Sequence, residues 1–274
     1  MVLHLMSNAS GLDSTRQFQA RVDAIHSLGA ALPFVEWTFI FLPLIFHAVD
    51  GVVIASGAMP NTGDDPYKAN IRYTLQRVTA WIALVFIFAH VFHMHGWIKP
   101  WAAEMGGARF QHLFATTSAA QALQASLLVQ LFYVVGILSC VYHLANGLWT
   151  MGITWGIWTT PAAQRRADYV CLAFGILLAA VGLGAFTGLV TVNTAESLKT
   201  ENQINEVKIE LGEVNPEEVE HERETLLADD QAASDGEGEA GEPAEPEADE
   251  AAEDTAAALL PQDALTDEAS SSGG

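Results

Sequence analysis

Residues 132–155 read FYVVGILSCVYHLANGLWTMGITW, an uncharged and strongly apolar run with a single histidine, His143, set inside it. A helix of about 20 apolar residues crosses the hydrocarbon core of a bilayer, and an ionisable side chain at that depth is costly enough to need a partner. For imidazole the available partners are a metal, a proton path or another polar helix face. His4, His47 and His90 stand in comparable apolar surroundings and can share one of those jobs.

Working outward, half of the 274 residues are hydrophobic, yet the net charge is −21, an unusual pairing for one soluble domain. The contradiction disappears when the chain is divided near Val192. Nine Lys and Arg face eight Asp and Glu before it, and three face 25 after it. Cys140 and Cys171 both lie in apolar runs, so they read as small core residues and carry no redox information. The apolar residues Met1 to Met6 are too few for a cleavable signal and read as the last turns of a first membrane helix.

The fold class that follows is all-α: an integral membrane helical bundle over 1–192, followed by an acidic, largely disordered tail over 193–274. Four complete spans are expected after the end of the first helix: Phe34 to Ser56, Arg77 to Ile98, Leu123 to about Thr154, and Tyr169 to Val192. Pro43 inside the first of them is tolerable because packed neighbours and local adjustment re-satisfy the freed backbone carbonyl. The third is longer than a bilayer needs, so it tilts or projects. Glycines 175, 182, 184 and 188 allow the last span close packing. From Thr194 to about Leu227 charged residues alternate with Leu, Val and Ile, the pattern of a short surface helix. Beyond it the Ala/Glu/Asp/Pro/Gly/Ser-rich composition cannot bury enough apolar area to offset its chain entropy.

Successive spans run antiparallel, and this sorts the histidines by depth. His143 and His47 lie toward the face reached by the loops after the first and third complete spans. His90 lies toward the opposite face, roughly 12 Å from the end expected for its span at 1.5 Å per residue. His4 ends a helix that emerges on that same face. The result is two pairs, His47 with His143 and His4 with His90. Two stacked pairs inside a bundle suit two bis-histidine haems, because neutral imidazole is a good iron ligand and bundle faces hold it rigidly. A lone membrane histidine is more often a hydrogen-bonding or relay group; four on four helices shift the balance toward ligands. His93, one turn from His90, is its substitute. His26, His112 and His221 lie in polar segments and read as surface histidines.

FLPLIFHAVDG (residues 41–51), TLQRVTAWIALVFIFAHVF (74–92) and GILSCVYHLANGLWTMGITWGIWTTPAAQR (136–165) resemble the helices of the five-helix, di-haem cytochrome b subunit of succinate dehydrogenase. The resemblance covers His4 to about Val192. It implies an anchor in the bacterial cytoplasmic membrane that holds two b haems and docks a flavoprotein and an iron–sulfur subunit. FAD and the iron–sulfur clusters would sit on those partners. Electrons would pass to or from membrane quinone, menaquinone in this reading, and this chain alone would not oxidise succinate. His47 and His143 match the family's ligands of the inner haem iron, and His4 and His90 those of the outer one.

The family has a complete first helix and no long acidic tail, and the resemblance places that tail outside the cytoplasm. Loop charges, five Lys and Arg on one face against four on the other, do not decide orientation. Glu36 resembles an acidic residue of the family positioned for proton exchange with quinone; its alternative is a helix-capping carboxylate. Arg77, Arg165 and Arg166 suit haem propionates, the soluble subunits or plain membrane anchoring. Asn146 and Trp149 can hydrogen-bond near the haem edge or pack, and Asp50 can accept a hydrogen bond from a haem-side group or, as the favoured reading, lie at the water interface. No nucleic-acid partner is expected. The competing classes are a cytochrome b anchor for another dehydrogenase and a haem-free transporter or scaffold.

Overall fold

A computed structural model describes residues 1–57, 67–95 and 109–239. In it the decisive stretch lies in a 28-residue helix, Leu127–Thr154. Ser126 starts that helix: its hydroxyl accepts the Val129 N–H at 3.3 Å, an N-cap that separates it from the preceding helix, Ala115–Gln124. The overlong span expected from Leu123 is thus divided between two helices.

In chain order the helices are α1 (Val2–Ala9), α2 (Thr15–His26), α3 (Gly29–Ser56), α4 (Lys68–Met94), α5 (Ala115–Gln124), α6 (Leu127–Thr154), α7 (Pro161–Thr191), α8 (Thr194–Glu210) and α9 (Pro216–Glu239). There is no strand among the described residues. α3, α4, α6 and α7 are long and apolar enough to cross a membrane. With hydrophobic side chains such as Phe46, Phe88, Leu131 and Leu177 left on their outer faces, the bundle is a multi-pass integral membrane protein.

The helix ends differ from the apolar runs. α4 begins nine residues before Arg77 and ends at Met94, which puts His90 about one turn from the helix end. α7 begins at Pro161, with Thr160 accepting the Ala163 N–H at 3.2 Å, so Arg165 and Arg166 lie in its first turns and not in a loop. Hydropathy marks where charge stops, whereas a helix continues as far as its backbone can be capped.

α6 packs between α4 and α7, and α1 lies along α7. Small residues permit this. A Cβ at Gly136 of α6 would stand 2.1 Å from the Phe86 ring of α4, and one at Gly182 of α7 would stand 2.9 Å from Ile137 and 3.4 Å from Leu5. α3 stands apart, with no buried side chain in its membrane window. Its helix opens into a π-turn at Trp37–Phe41 just before Pro43. That turn is the local adjustment expected around the proline, which lacks an N–H and crowds the carbonyl four residues back.

α2, α5, α8 and α9 gather on the face where α1, α4 and α7 end. Ser197, Glu201 and Asn205 are buried on one side of α8, so this helix is not a surface element but part of a packed cap. Residues beyond 239, where disorder is expected, lie outside the described residues.

Candidate functional site

His47 of α3 and His143 of α6 face each other with ring centroids 6.0 Å apart and planes 67° apart. His4 of α1 and His90 of α4 do the same at 6.0 Å and 72°. Two imidazoles bonded at about 2 Å on opposite sides of one metal atom have centroids roughly 6 Å apart, whatever the angle between their planes. Both pairs therefore fit the donor set and the spacing of a bis-histidine iron site.

The second hydrogen bond of each ring tells which nitrogen is available. His143 Nδ1 lies 3.2 Å from the main-chain oxygen of Gln76 on α4, an acceptor only, so Nδ1 carries the hydrogen and Nε2 keeps its lone pair. The Gln76 amide, 3.2 Å from the same Nδ1, donates instead to the His143 carbonyl at 3.1 Å. On the other face, the Tyr133 hydroxyl of α6 sits 3.1 Å from His90 Nδ1 and 2.9 Å from His93 Nδ1. The hydroxyl oxygen can accept from both rings, or accept from one and donate to the other. With His90 donating, His90 Nε2 is left for a metal. It is the His90 ring that meets His4, while the buried His93 ring is turned to Tyr133. The Asn8 amide, which donates to the His4 carbonyl at 2.8 Å, lies 3.5 Å from His4 Nε2.

Asn146 and Trp149 are drawn into one polar network at the His143 face. Asn146 accepts from Arg72 Nε at 2.8 Å and donates to Gln76 Oε1 at 2.7 Å, and the Arg72 guanidinium lies 3.8 Å over the Trp149 ring. Arg77 is elsewhere, stacked 3.6 Å over Tyr73. Arg72 and Gln76 carry no signal in the sequence beyond a charge and an amide ahead of an apolar run. Glu36 is half-buried just before the π-turn, and Asp50 is exposed.

The cap holds a second polar group that single-sequence reading misses. Glu201 accepts from the Thr116 N–H at 2.7 Å and from the Thr117 N–H and hydroxyl at 3.4 and 2.6 Å. It thereby closes the first turn of α5 from another helix. Burial pushes its pKa up to about 7. Its only signal in the sequence is the four-residue spacing of Ser197, Glu201 and Asn205. Nearby, Glu222 accepts from the Leu113 N–H at 2.9 Å and meets His112 Nδ1 at 2.6 Å, while Glu218 approaches His112 Nε2 at 3.9 Å. His112, Glu218 and Glu222 lie within 4.8 Å of one another. Because opposite ring nitrogens meet different carboxylates, these groups form an ion-pair clasp and not a point of convergence for a metal. Stacking on His26 at 4.6 Å completes it, so two histidines expected at the surface are structural.

Four apolar spans and two pairs of opposed histidine rings define a class: multi-pass helical membrane bundles with paired imidazoles between their helices. No family model and no solved structure matches the chain. It is 37% identical over 193 residues to the succinate dehydrogenase cytochrome b558 subunit of Bacillus subtilis (strain 168), covering 69% of this chain and 88% of that protein. The chain belongs to the family of succinate dehydrogenase cytochrome b subunits.

Proposed function

We propose that this chain is the membrane anchor and electron-transfer subunit of a succinate:quinone oxidoreductase, binding two b haems. The observation that carries the reading is the equal 6.0 Å separation of two histidine pairs near opposite faces of one bundle. His47 and His143 would hold the inner haem, and His4 and His90 the outer one. A haem bound by two histidines takes up and releases single electrons. The Gln76 carbonyl holds His143 in the tautomer that leaves Nε2 free, and Tyr133 orients His90. Succinate is oxidised on the flavin of a partner subunit, and an iron–sulfur partner docks on the cytoplasmic face next to His143. Glu36, on the outer face, exchanges protons with bound quinone, menaquinone in this reading, and the acidic tail is extracytoplasmic.

The test is the haem-to-protein ratio of the purified protein by pyridine haemochrome, with reduced-minus-oxidised spectra. Two b haems per chain are expected, with one lost in His143→Ala and the other in His90→Ala. No haem in the parent protein would overturn the reading. Loss of a haem in His93→Ala with none lost in His90→Ala would move the outer ligand by one turn.

A further inference from the structure

Asp168 of α7, Arg72 of α4, Asn146 of α6 and Gln76 of α4 form one hydrogen-bonded line that ends on His143. Arg72 pairs through Nη1 with the Asp168 carboxylate and through Nε with Asn146 Oδ1 at 2.8 Å. Asn146 Nδ2 donates to Gln76 Oε1 at 2.7 Å, and Gln76 Nε2 donates to the His143 carbonyl at 3.1 Å. Neither end of the ion pair is fully in water, with Arg72 18% and Asp168 30% exposed.

The direction of this line is fixed by chemistry. A guanidinium only donates and stays charged, so the Asn146 oxygen must face Arg72 and its NH2 must face Gln76. The Gln76 oxygen is then taken, and its NH2 must face His143. Two amide dipoles are therefore aligned head to tail, each with its positive end toward His143. The arginine charge and both dipoles act on that site with the same sign. Asp168 opposes them from the far end of the line, so it offsets the arginine only in part.

We propose that Arg72 and Asp168 are positioning residues that set the reduction potential of the haem held by His47 and His143, in opposite directions. This rests on the haem assignment proposed above. Reduction adds one negative charge, which a nearby cation favours and a nearby carboxylate disfavours. Arg72 raises that potential and turns the amides; Asp168 moderates it and holds the guanidinium.

The experiment is an optical redox titration of the two haems in the intact, purified dehydrogenase complex, with low-spin EPR of the oxidised form. Arg72→Gln is expected to shift the inner component to lower potential and Asp168→Asn to higher potential, with the outer component unmoved in both. Arg72→Lys keeps the charge and should recover most of the shift seen with glutamine. A purely structural role for the ion pair predicts the same direction of change in both charge-removing variants. That result, or no shift in either, overturns the proposal. If Arg72→Gln fails to assemble, Arg72→Lys and Asp168→Asn still decide: wild-type potential in Asp168→Asn overturns the idea. His143→Ala separates this from the underlying reading. Loss of one haem upholds the assignment whatever the potentials do, whereas retention of both removes the assignment and the proposal together.

Discussion

Thr117 donates its hydroxyl to Glu201 at 2.6 Å across 84 residues of chain, joining the start of α5 to the middle of α8. A helix that begins inside a protein leaves N–H groups without partners, and here a buried carboxyl from a neighbouring helix supplies them.

The first prediction concerns pH. Burial raises the Glu201 pKa from 4.5 to about 7, so the folded cap holds this proton more tightly than the unfolded chain. Its contribution to stability is complete below pH 4.5 and is lost as pH rises to 7. Glu201→Gln mimics the protonated form. Thermal unfolding of both proteins between pH 4.5 and 8 should show the wild type losing stability relative to the variant across that window. A difference independent of pH would contradict the burial account.

At His112 the slope has the same sign but another cause. The hydrogen bond that the His112 ring donates to Glu222 raises the His112 pKa above 6.5, so the stabilisation is complete below 6.5 and disappears as pH rises through the folded-state value. His112→Gln should cost about 1 kcal/mol at pH 6, and less at pH 9, because the pair is partly exposed. Chemical denaturation at the two pH values measures this.

Packing at Gly136 gives a third expectation. A methyl group there would overlap the Phe86 ring, which lies 5.7 Å from the His90 ring in a stacked arrangement. Gly136→Ala should destabilise the bundle by about 1–3 kcal/mol. It should also lower the outer haem content before the inner, as read from the ratio of the two spectral components.

Tyr133→Phe removes the oxygen that meets His90 Nδ1 and His93 Nδ1. A ligating imidazole that donates to an oxygen is more basic and favours the oxidised metal. The variant should keep both haems and raise the potential of the outer one alone. Redox titration of the purified complex is the check.

Much of this was legible in the sequence, for identifiable reasons. Apolar runs longer than a bilayer is thick locate the spans, and antiparallel order sorts His4, His47, His90 and His143 by depth. Arg72 and Gln76 were hidden because hydropathy begins the span at Arg77, whereas α4 begins at Lys68 and carries both inside the helix. A paired arginine remains compatible with a membrane helix near its end. The cap was hidden because α8 buries Ser197, Glu201 and Asn205 in place of an apolar stripe, and hydrophobic periodicity detects only the latter. The Ser126 cap was hidden inside a run that reads as one helix.

The π-turn at Trp37–Phe41 makes α3 a rod with two phases. One extra residue in the winding rotates everything beyond it by about 100° relative to an unbroken helix. A cysteine-accessibility scan along α3 should follow one sinusoid before residue 37 and a displaced one after 41. Closing the turn to uniform α winding without shortening the chain, as Pro43→Ala should favour, would swing His47 by about 100° away from His143, whereas deleting one residue between those positions would leave its direction unchanged. A bulge in the winding thus acts as the angular setting of a histidine two turns away.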